Sequence, residues 1–345
     1  MFRKIIVTAL SLVLGTMSLA GCSSADTGSS QPATREEKNY ETNGKSEKLS
    51  IVCTIFPEYD WVKEIMGSHA NDAEITYLLN SGTDLHNFQP TADDILKIST
   101  CDLFIHVGGE SDKWVSDILN ETVNKDMQTL CLMDLLGDSA KEEEIKEGME
   151  AEEEDEHDDD DHDEEGPEYD EHVWLSLKNA KIICGDIAKA IAKADPDNAA
   201  DYSINLAAYS AKLDELDAKF ASLAGSAKNK TLIFGDRFPF RYFVDDYSID
   251  YYAAFVGCSA ESEASFKTIS FLAEKLSELD CDTIFTIENS DKSIAEAIIT
   301  NSKKKDCGIA ELNSIQSVTS ADAGNGVSYL SLMEQNYDVL AEYFK

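Results

Sequence analysis

Short apolar runs alternate with amphipathic stretches in the chain's first half. Four such runs predict strands, at 49–55, 75–79, 103–107 and 127–132. Between and after them apolar residues recur every three or four positions, which predicts helices at 58–66, 93–99, 114–119 and 179–194. Strand and helix in alternation indicate an α/β fold with a mostly parallel sheet, so we predict a first lobe over residues 49–194.

The second half repeats this rhythm after one much longer helix. Between 197 and 223 apolar positions recur at helical spacing, and no Gly or Pro interrupts them. We predict a rigid spine helix over 195–224, whose periodic part at 197–223 is near 40 Å long at about 1.5 Å per residue. Strands at 231–234, 250–255, 283–287 and 308–312, each followed by a helix, predict a second α/β lobe over 225–345. A ligand is expected in the cleft between the lobes, at the carboxyl ends of the strands.

The N-terminus has the pattern of a secretion signal. Arg3 and Lys4 precede an apolar run over 5–14 that is too short to span a membrane, and Leu-Ala-Gly leads to Cys22. We predict a signal peptide over 1–22 with Cys22 acylated, which would anchor the protein to a membrane surface. An ordinary signal peptide with a chance cysteine is the alternative. Residues 23–48 are polar and predict a flexible tether.

Negative charge dominates the composition. The formal net charge of −38 excludes a nucleic-acid partner and suits cations. Twenty acidic residues against one lysine lie between 142 and 171, so we predict a disordered acidic loop over 141–170 inserted in the first lobe. It is either a solvating insertion or a weak collector of divalent ions through its carboxylates together with His157 and His162.

Seven cysteines follow Cys22. They form no CxxC pair, which argues against a zinc ribbon, and most lie in apolar runs. We expect most of them to be small core residues, and a disulfide among them stays open.

Two histidines are candidate metal ligands. His86 lies on the loop after the second strand, and His172 lies where the apolar pattern resumes after the acidic loop. Imidazole is the commonest metal ligand in proteins, and both residues belong to the first lobe, so we predict a site completed by carboxylates of the second lobe. His69 follows a helix end and is expected to be solvated. His106 lies inside an apolar strand and is expected to be a core residue.

Several short motifs resemble one family when taken as a set. They are Gly82-x-Asp84-x-His86-x-Phe88-x-Pro90, Asp170-x-His172-x-Trp174-Leu175, and Asp195-Pro196-Asp197-Asn198 with Tyr202, Asn205 and Tyr209. This set is similar to the solute-binding lipoproteins of bacterial ABC importers for zinc and manganese, the ZnuA-like cluster A-I. The resemblance extends from about Leu49 to the C-terminus. It implies two α/β lobes bridged by a rigid helix, with one divalent cation held between them by two residues from each lobe.

The resemblance places the two first-lobe ligands on His86 and His172, but the second-lobe pair departs from the family pattern. The third ligand position falls on Arg237, whose guanidinium has no lone pair for a metal, and the fourth falls on Asn313. We favour Asp236 as the replacement third ligand. Glu263 and Glu288 are alternatives, and each also has a purely structural interpretation. The Arg237 and Asn313 pair would otherwise suit an anion or a chelate.

The resemblance implies a lipid-anchored protein outside the cytoplasm, on the cell surface or the periplasmic side of the cytoplasmic membrane. It would capture Zn²⁺, with Mn²⁺ as the next candidate, and deliver the ion to an ABC permease and its ATPase. We expect a monomer that is not an enzyme. An adhesin-like lipoprotein with an altered metal site remains the alternative. A surface metallohydrolase is disfavoured because the sequence has no HExxH motif.

Overall fold

The computed structural model describes residues 48–150, 168–259 and 263–345. The predicted signal peptide with Cys22, nearly all of the tether, and the centre of the acidic stretch with His157 and His162 lie outside the described residues. No helix in the described ranges is both long enough and apolar enough to cross a membrane.

The first lobe is a four-stranded parallel sheet with helices packed on it. Its strands are β1 (Ser50–Cys53), β2 (Glu74–Tyr77), β3 (Leu103–His106) and β4 (Gln128–Cys131), in the order β2-β1-β3-β4. Its helices are α1 (Phe56–Met66), α2 (Ala92–Thr100), α3 (Val115–Asn120), α4 (Leu132–Leu136) and α5 (Leu177–Ala194). All four residues of β3 are buried, as expected for a central parallel strand covered on both faces. The predicted strand–helix alternation is confirmed.

A single long helix, α6 (Ala199–Ser226), follows one turn of 3₁₀ helix at Pro196–Asn198. Its 28 residues span about 42 Å at the standard rise. The buried residues recur along one face and are Tyr202, Tyr209, Leu213, Leu216, Phe220 and Ala224. The helix packs against α1 and α5 of the first lobe and also against helices of the second lobe. The predicted spine helix is therefore confirmed, since one apolar face serves both lobes.

The second lobe repeats the parallel arrangement. Its strands are β5 (Thr231–Phe238), β6 (Asp250–Val256), β7 (Thr283–Thr286) and β8 (Gly308–Glu311), in the order β6-β5-β7-β8. Its helices are α7 (Arg241–Tyr247), α8 (Phe266–Glu278), α9 (Ser293–Asn301), α10 (Ser320–Gly324) and α11 (Tyr329–Tyr343). Strand β5 is four residues longer than predicted and shifts register between Phe234 and Arg237. The extension places Asp236 and Arg237 on a strand rather than on a loop.

Buried hydrogen bonds join the lobes behind the cleft. The Trp174 indole N–H donates to the Ser314 carbonyl at 2.9 Å, and the Tyr329 hydroxyl donates to the Trp174 carbonyl at 2.6 Å. The Tyr77 hydroxyl donates to the Val318 carbonyl at 2.8 Å. Trp174 and Tyr329 are fully buried, so these bonds fix the segment that carries His172 against the second lobe.

The acidic stretch is ordered at both of its described ends, which corrects the prediction of a loop disordered from residue 141 to residue 170. Glu142 and Tyr169 form an antiparallel bridge, and Asp170 N donates to the Lys141 carbonyl at 2.9 Å. Farther along, Glu150 N donates to the Ala254 carbonyl of β6 at 3.0 Å. Backbone pairing of this kind does not need an apolar side chain, which is why the charge pattern did not reveal it.

Candidate metal centre

His86 is held on a single turn of 3₁₀ helix, Leu85–Asn87, that follows β2. Asp84 begins this turn, and its carboxylate accepts a hydrogen bond from His86 N at 3.0 Å. On the ring, Nδ1 lies 2.8 Å from Ser111 Oγ and 3.5 Å from Glu171 Oε2. These partners leave Nε2 as the imidazole atom that faces the cleft.

His172 is fully buried, and Asp170 orients it. Asp170 Oδ1 accepts from both His172 N, at 2.8 Å, and His172 Nδ1, at 3.0 Å. A carboxylate acceptor places the ring proton on Nδ1, so Nε2 carries a lone pair. Carboxylate–histidine pairs of this kind are the usual outer partners of a metal-bound imidazole.

The two histidines meet at their Nε2 atoms, which lie 3.2 Å apart. For a tetrahedral metal with bonds to nitrogen of about 2.0–2.1 Å, two bound nitrogens lie about 3.3 Å apart. The observed separation matches that geometry. The sequence prediction that these two histidines lie together is met by the structure.

Cys258 is the third member of the cluster. Its Sγ and the ligand nitrogens of His86 and His172 all lie within 4.8 Å of one another. In the described part of the chain, this is the only group of three or more His, Cys, Asp or Glu residues that could hold a metal ion. Cys258 follows β6, so it belongs to the second lobe. Sequence reasoning missed it by treating most cysteines as core residues, although its place just after a strand was a usable signal.

The electrostatics of the cluster favour a neutral His86 imidazole. Burial and the neighbouring His172 lower the pKa of His86 to about 3, so its ring is uncharged at neutral pH, as a metal ligand requires. Burial, reinforced by the carboxylates of Asp170 and Glu143, raises the pKa of the Cys258 thiol. Burial also raises the pKa of Glu171 to about 7. A cation entering here would therefore meet a neutral His86 nitrogen and two acidic groups, Cys258 and Glu171, whose charged forms are disfavoured by burial.

Arg237 does not reach the histidines. Its Nη2 donates to Asp84 Oδ2 at 2.5 Å, and its Nη1 donates to the Ser259 carbonyl at 3.3 Å. Asp236, the predicted third ligand, is not part of the cluster either. Its two oxygens accept from Arg237 N at 2.9 Å and from Ile287 N at 3.3 Å. Asp236 and Arg237 instead line a cavity of about 480 Å³ together with Asp84 and Asn87.

The other predicted second-lobe candidates also lie outside the cluster. Glu288 accepts hydrogen bonds from Ser314 N, Ser314 Oγ and the backbone of residues 316 and 317, so it shapes that loop. Asn313 Oδ1 accepts from Ile315 N at 2.8 Å. Glu263 is exposed. The structural interpretation of Glu288 is therefore the one its contacts support.

The two remaining described histidines have other partners. His69 Nε2 lies 2.9 Å from Asp201 Oδ2 near the start of α6, and its side chain is a quarter exposed. His106 is buried with Nδ1 3.3 Å from Asp112 Oδ2, as expected for a core residue. All seven described cysteines are free, and four of them are buried, at positions 53, 101, 184 and 281.

Two parallel-sheet lobes, a spine helix and a histidine pair facing the cleft define a two-lobed protein with a candidate metal site between its lobes. The family described as "Zinc-uptake complex component A periplasmic", or ZnuA, matches residues 51–343, and the chain belongs to this family. The family resemblance inferred from the motifs is confirmed.

Individual relatives support the same assignment. The chain is 30% identical over 301 residues to the zinc-binding lipoprotein AdcA of Streptococcus pneumoniae strain R6, covering 86% of this chain and 56% of that protein. It is 29% identical over 308 residues to the high-affinity zinc uptake system protein ZnuA of Bacillus subtilis, covering 88% and 91%. The Zn(II)-bound ZnuA-like domain of S. pneumoniae AdcA superposes with a TM-score of 0.65 at 26% identity, covering 86% and 99%. The chain thus spans about half the length of the AdcA proteins it matches.

Proposed function

We propose that this protein captures Zn²⁺ outside the cytoplasm and delivers it to an ABC permease driven by its ATPase. The observation that carries the proposal is the 3.2 Å separation of the His86 and His172 Nε2 atoms, each ring being held by a partner at Nδ1. Relatives named as zinc-binding or zinc-uptake proteins support it.

The donor set favours zinc over the hard cations. Neutral imidazole nitrogens bind Zn²⁺ well, whereas Mg²⁺, Ca²⁺ and Mn²⁺ prefer oxygen ligands. The site lies between the lobes, so a small relative shift of the lobes would separate its ligands and release the ion to the permease. This role needs binding and release but no chemical step, and the protein is proposed to act as a monomer without enzymatic activity.

The proposed location rests on the N-terminal pattern and on relatives named as lipoproteins. Acylation of Cys22 would hold the protein at the outer face of the cytoplasmic membrane, within reach of the permease. Metabolic labelling with a fatty acid tests this, and Cys22→Ala should abolish the label while leaving zinc binding intact.

Zinc binding is tested by competition titration against a chelator, using the chain without residues 1–22. We expect about one strongly bound Zn²⁺ per chain and a rise in Tm when zinc is added. The double variant His86→Ala, His172→Ala should lose both, while His69→Ala serves as a matched control that keeps both. Strong zinc binding that survives the double substitution would overturn the proposal. In cells, the double variant should fail to support growth in zinc-limited medium.

A further inference from the structure

We infer that the Cys258 thiolate is the metal ligand contributed by the second lobe. The site would then be a two-histidine, one-cysteine centre that selects zinc-like ions over Mn²⁺. The inference rests on the proposed function and specifies its cargo. It also explains how a chain with arginine at the usual third-ligand position can still hold a metal ion between its lobes.

The turn after β6 brings the thiol to the histidines. Gly257 passes directly against the His172 ring, since a Cβ at that position would lie 3.0 Å from both Cε1 and Nδ1 of His172. Such a contact is tighter than a side chain normally allows, so glycine permits the close approach. Cys258 is the next residue, and its Sγ reaches within 4.8 Å of both imidazole ligand atoms.

Two neighbours fix this turn. Glu143 Oε1 accepts from Cys258 N at 3.3 Å, and Arg237 Nη1 donates to the carbonyl of Ser259 at 3.3 Å. The same guanidinium donates to Asp84, whose other oxygen accepts from His86 N. Arg237 thus links the turn that carries Cys258 to the loop that carries His86. We assign it as a positioning residue in place of the ligand it displaces.

The binding step balances as a proton exchange. A divalent ion forms bonds to two neutral Nε2 atoms and to Sγ, and the Cys258 S–H bond breaks with its proton passing to solvent. No electron is transferred. Because thiolate and imidazole are softer donors than carboxylate, the set binds Zn²⁺ far better than Mn²⁺, which prefers oxygen.

Cobalt substitution tests the assignment on the reduced chain without residues 1–22. Co²⁺ bound to a thiolate gives an intense near-ultraviolet charge-transfer band that nitrogen and oxygen ligands do not produce. We expect this band in the unaltered protein and in the control variants Cys131→Ser and Cys307→Ser, and its loss in Cys258→Ser. Zinc affinity of Cys258→Ser should fall about 100-fold, since even outer partners of a metal ligand are worth 10–100-fold.

The outcomes separate this inference from the proposed function. Strong Co²⁺ and Zn²⁺ binding by the unaltered protein with no charge-transfer band would overturn the thiolate assignment and leave zinc capture standing. Absence of strong binding of either ion would overturn both. The spectrum of the unaltered protein decides the first question even if Cys258→Ser folds poorly. Mn²⁺ binding as tight as Zn²⁺ binding would contradict the predicted selectivity.

Discussion

Arg237 Nη2 donates to Asp84 Oδ2 at 2.5 Å and so joins the second lobe to the loop that presents His86. Both side chains are about one-sixth exposed. Burial by itself raises the pKa of Asp84, but the Arg237 guanidinium and the contacts to His86 outweigh it and hold that pKa below its usual value. The carboxylate therefore stays charged and needs its partner.

Breaking this ion pair should destabilise the fold. Arg237→Met keeps much of the side-chain volume but leaves Asp84 charged and partly buried, so we expect the free energy of unfolding to fall by about 1–3 kcal/mol. Urea unfolding with a chelator present measures this change in the free energy of unfolding. Adding Asp84→Asn should recover part of the loss, and additive effects of the two substitutions would contradict the coupling. Lys113→Met, which breaks a surface pair with Glu110, should change stability by less than about 0.5 kcal/mol.

Asp170 should tune zinc affinity without binding the ion. Asp170→Asn keeps an oxygen that can accept from His172 N but removes the charge that holds the ring proton on Nδ1. We expect zinc affinity to fall by about 10–100-fold while a single strong site remains. Chelator competition measures this, with the exposed Asp126→Asn as control. Unchanged affinity would show that the carboxylate does not act on the metal site through the imidazole.

The pattern of apolar residues predicted most of the fold because the strands and long helices of both lobes have regular apolar spacing. The strands, the spine helix and the placement of His86 and His172 all came from apolar spacing and strand ends. The short helices α4 and α10 were missed, since five residues carry too little periodicity to be recognised. The proposed second-lobe ligand, Cys258, was also missed. Spacing could not show that Arg237 pairs with Asp84, nor that Gly257 lets the chain pass against His172 and so delivers Cys258.

Glu58 should make stability depend on pH. Its Oε2 accepts from Thr54 N, Thr54 Oγ1 and Ile55 N, yet full burial, with Asp112 nearby, raises its pKa from 4.5 to about 8. Between these values the folded chain keeps a proton that the unfolded chain has lost. The Glu58 contribution to the free energy of unfolding therefore falls as pH rises from about 4.5 to about 8.

Replacing Glu58 by glutamine should remove this dependence of stability on pH. Urea unfolding at pH 5 and pH 8.5, in the presence of a chelator, gives the change in the free energy of unfolding for each protein. We expect Glu58→Gln to gain stability relative to the unaltered protein as pH rises, by an amount on the order of a few kcal/mol. The exposed Glu74→Gln serves as control. If the free energy of unfolding changed equally with pH in Glu58→Gln and in the unaltered protein, the folded chain would not hold a proton on Glu58.

Replacing the centre of the acidic stretch should leave the strong metal site intact. Its described ends pair with each other at 141–143 and 168–170 and reach β6 at Glu150, so the contacts that hold Glu143 against Cys258 lie outside residues 151–167. Those seventeen residues carry twelve acidic side chains and no Lys or Arg. Replacing them with a Gly/Ser segment of equal length removes the charge without shortening the connection.

We expect this replacement variant to keep one strongly bound Zn²⁺ per chain with unchanged affinity. The weak binding of additional ions should disappear, and so should any acceleration of zinc association at low salt. Both depend on the local negative potential. Stopped-flow association at two ionic strengths and equilibrium dialysis measure the two effects. The variant His157→Gln, His162→Gln retains the charge, so it separates imidazole coordination from electrostatic attraction. Loss of the strong site in the replacement variant would show that the segment supplies a ligand to the cleft.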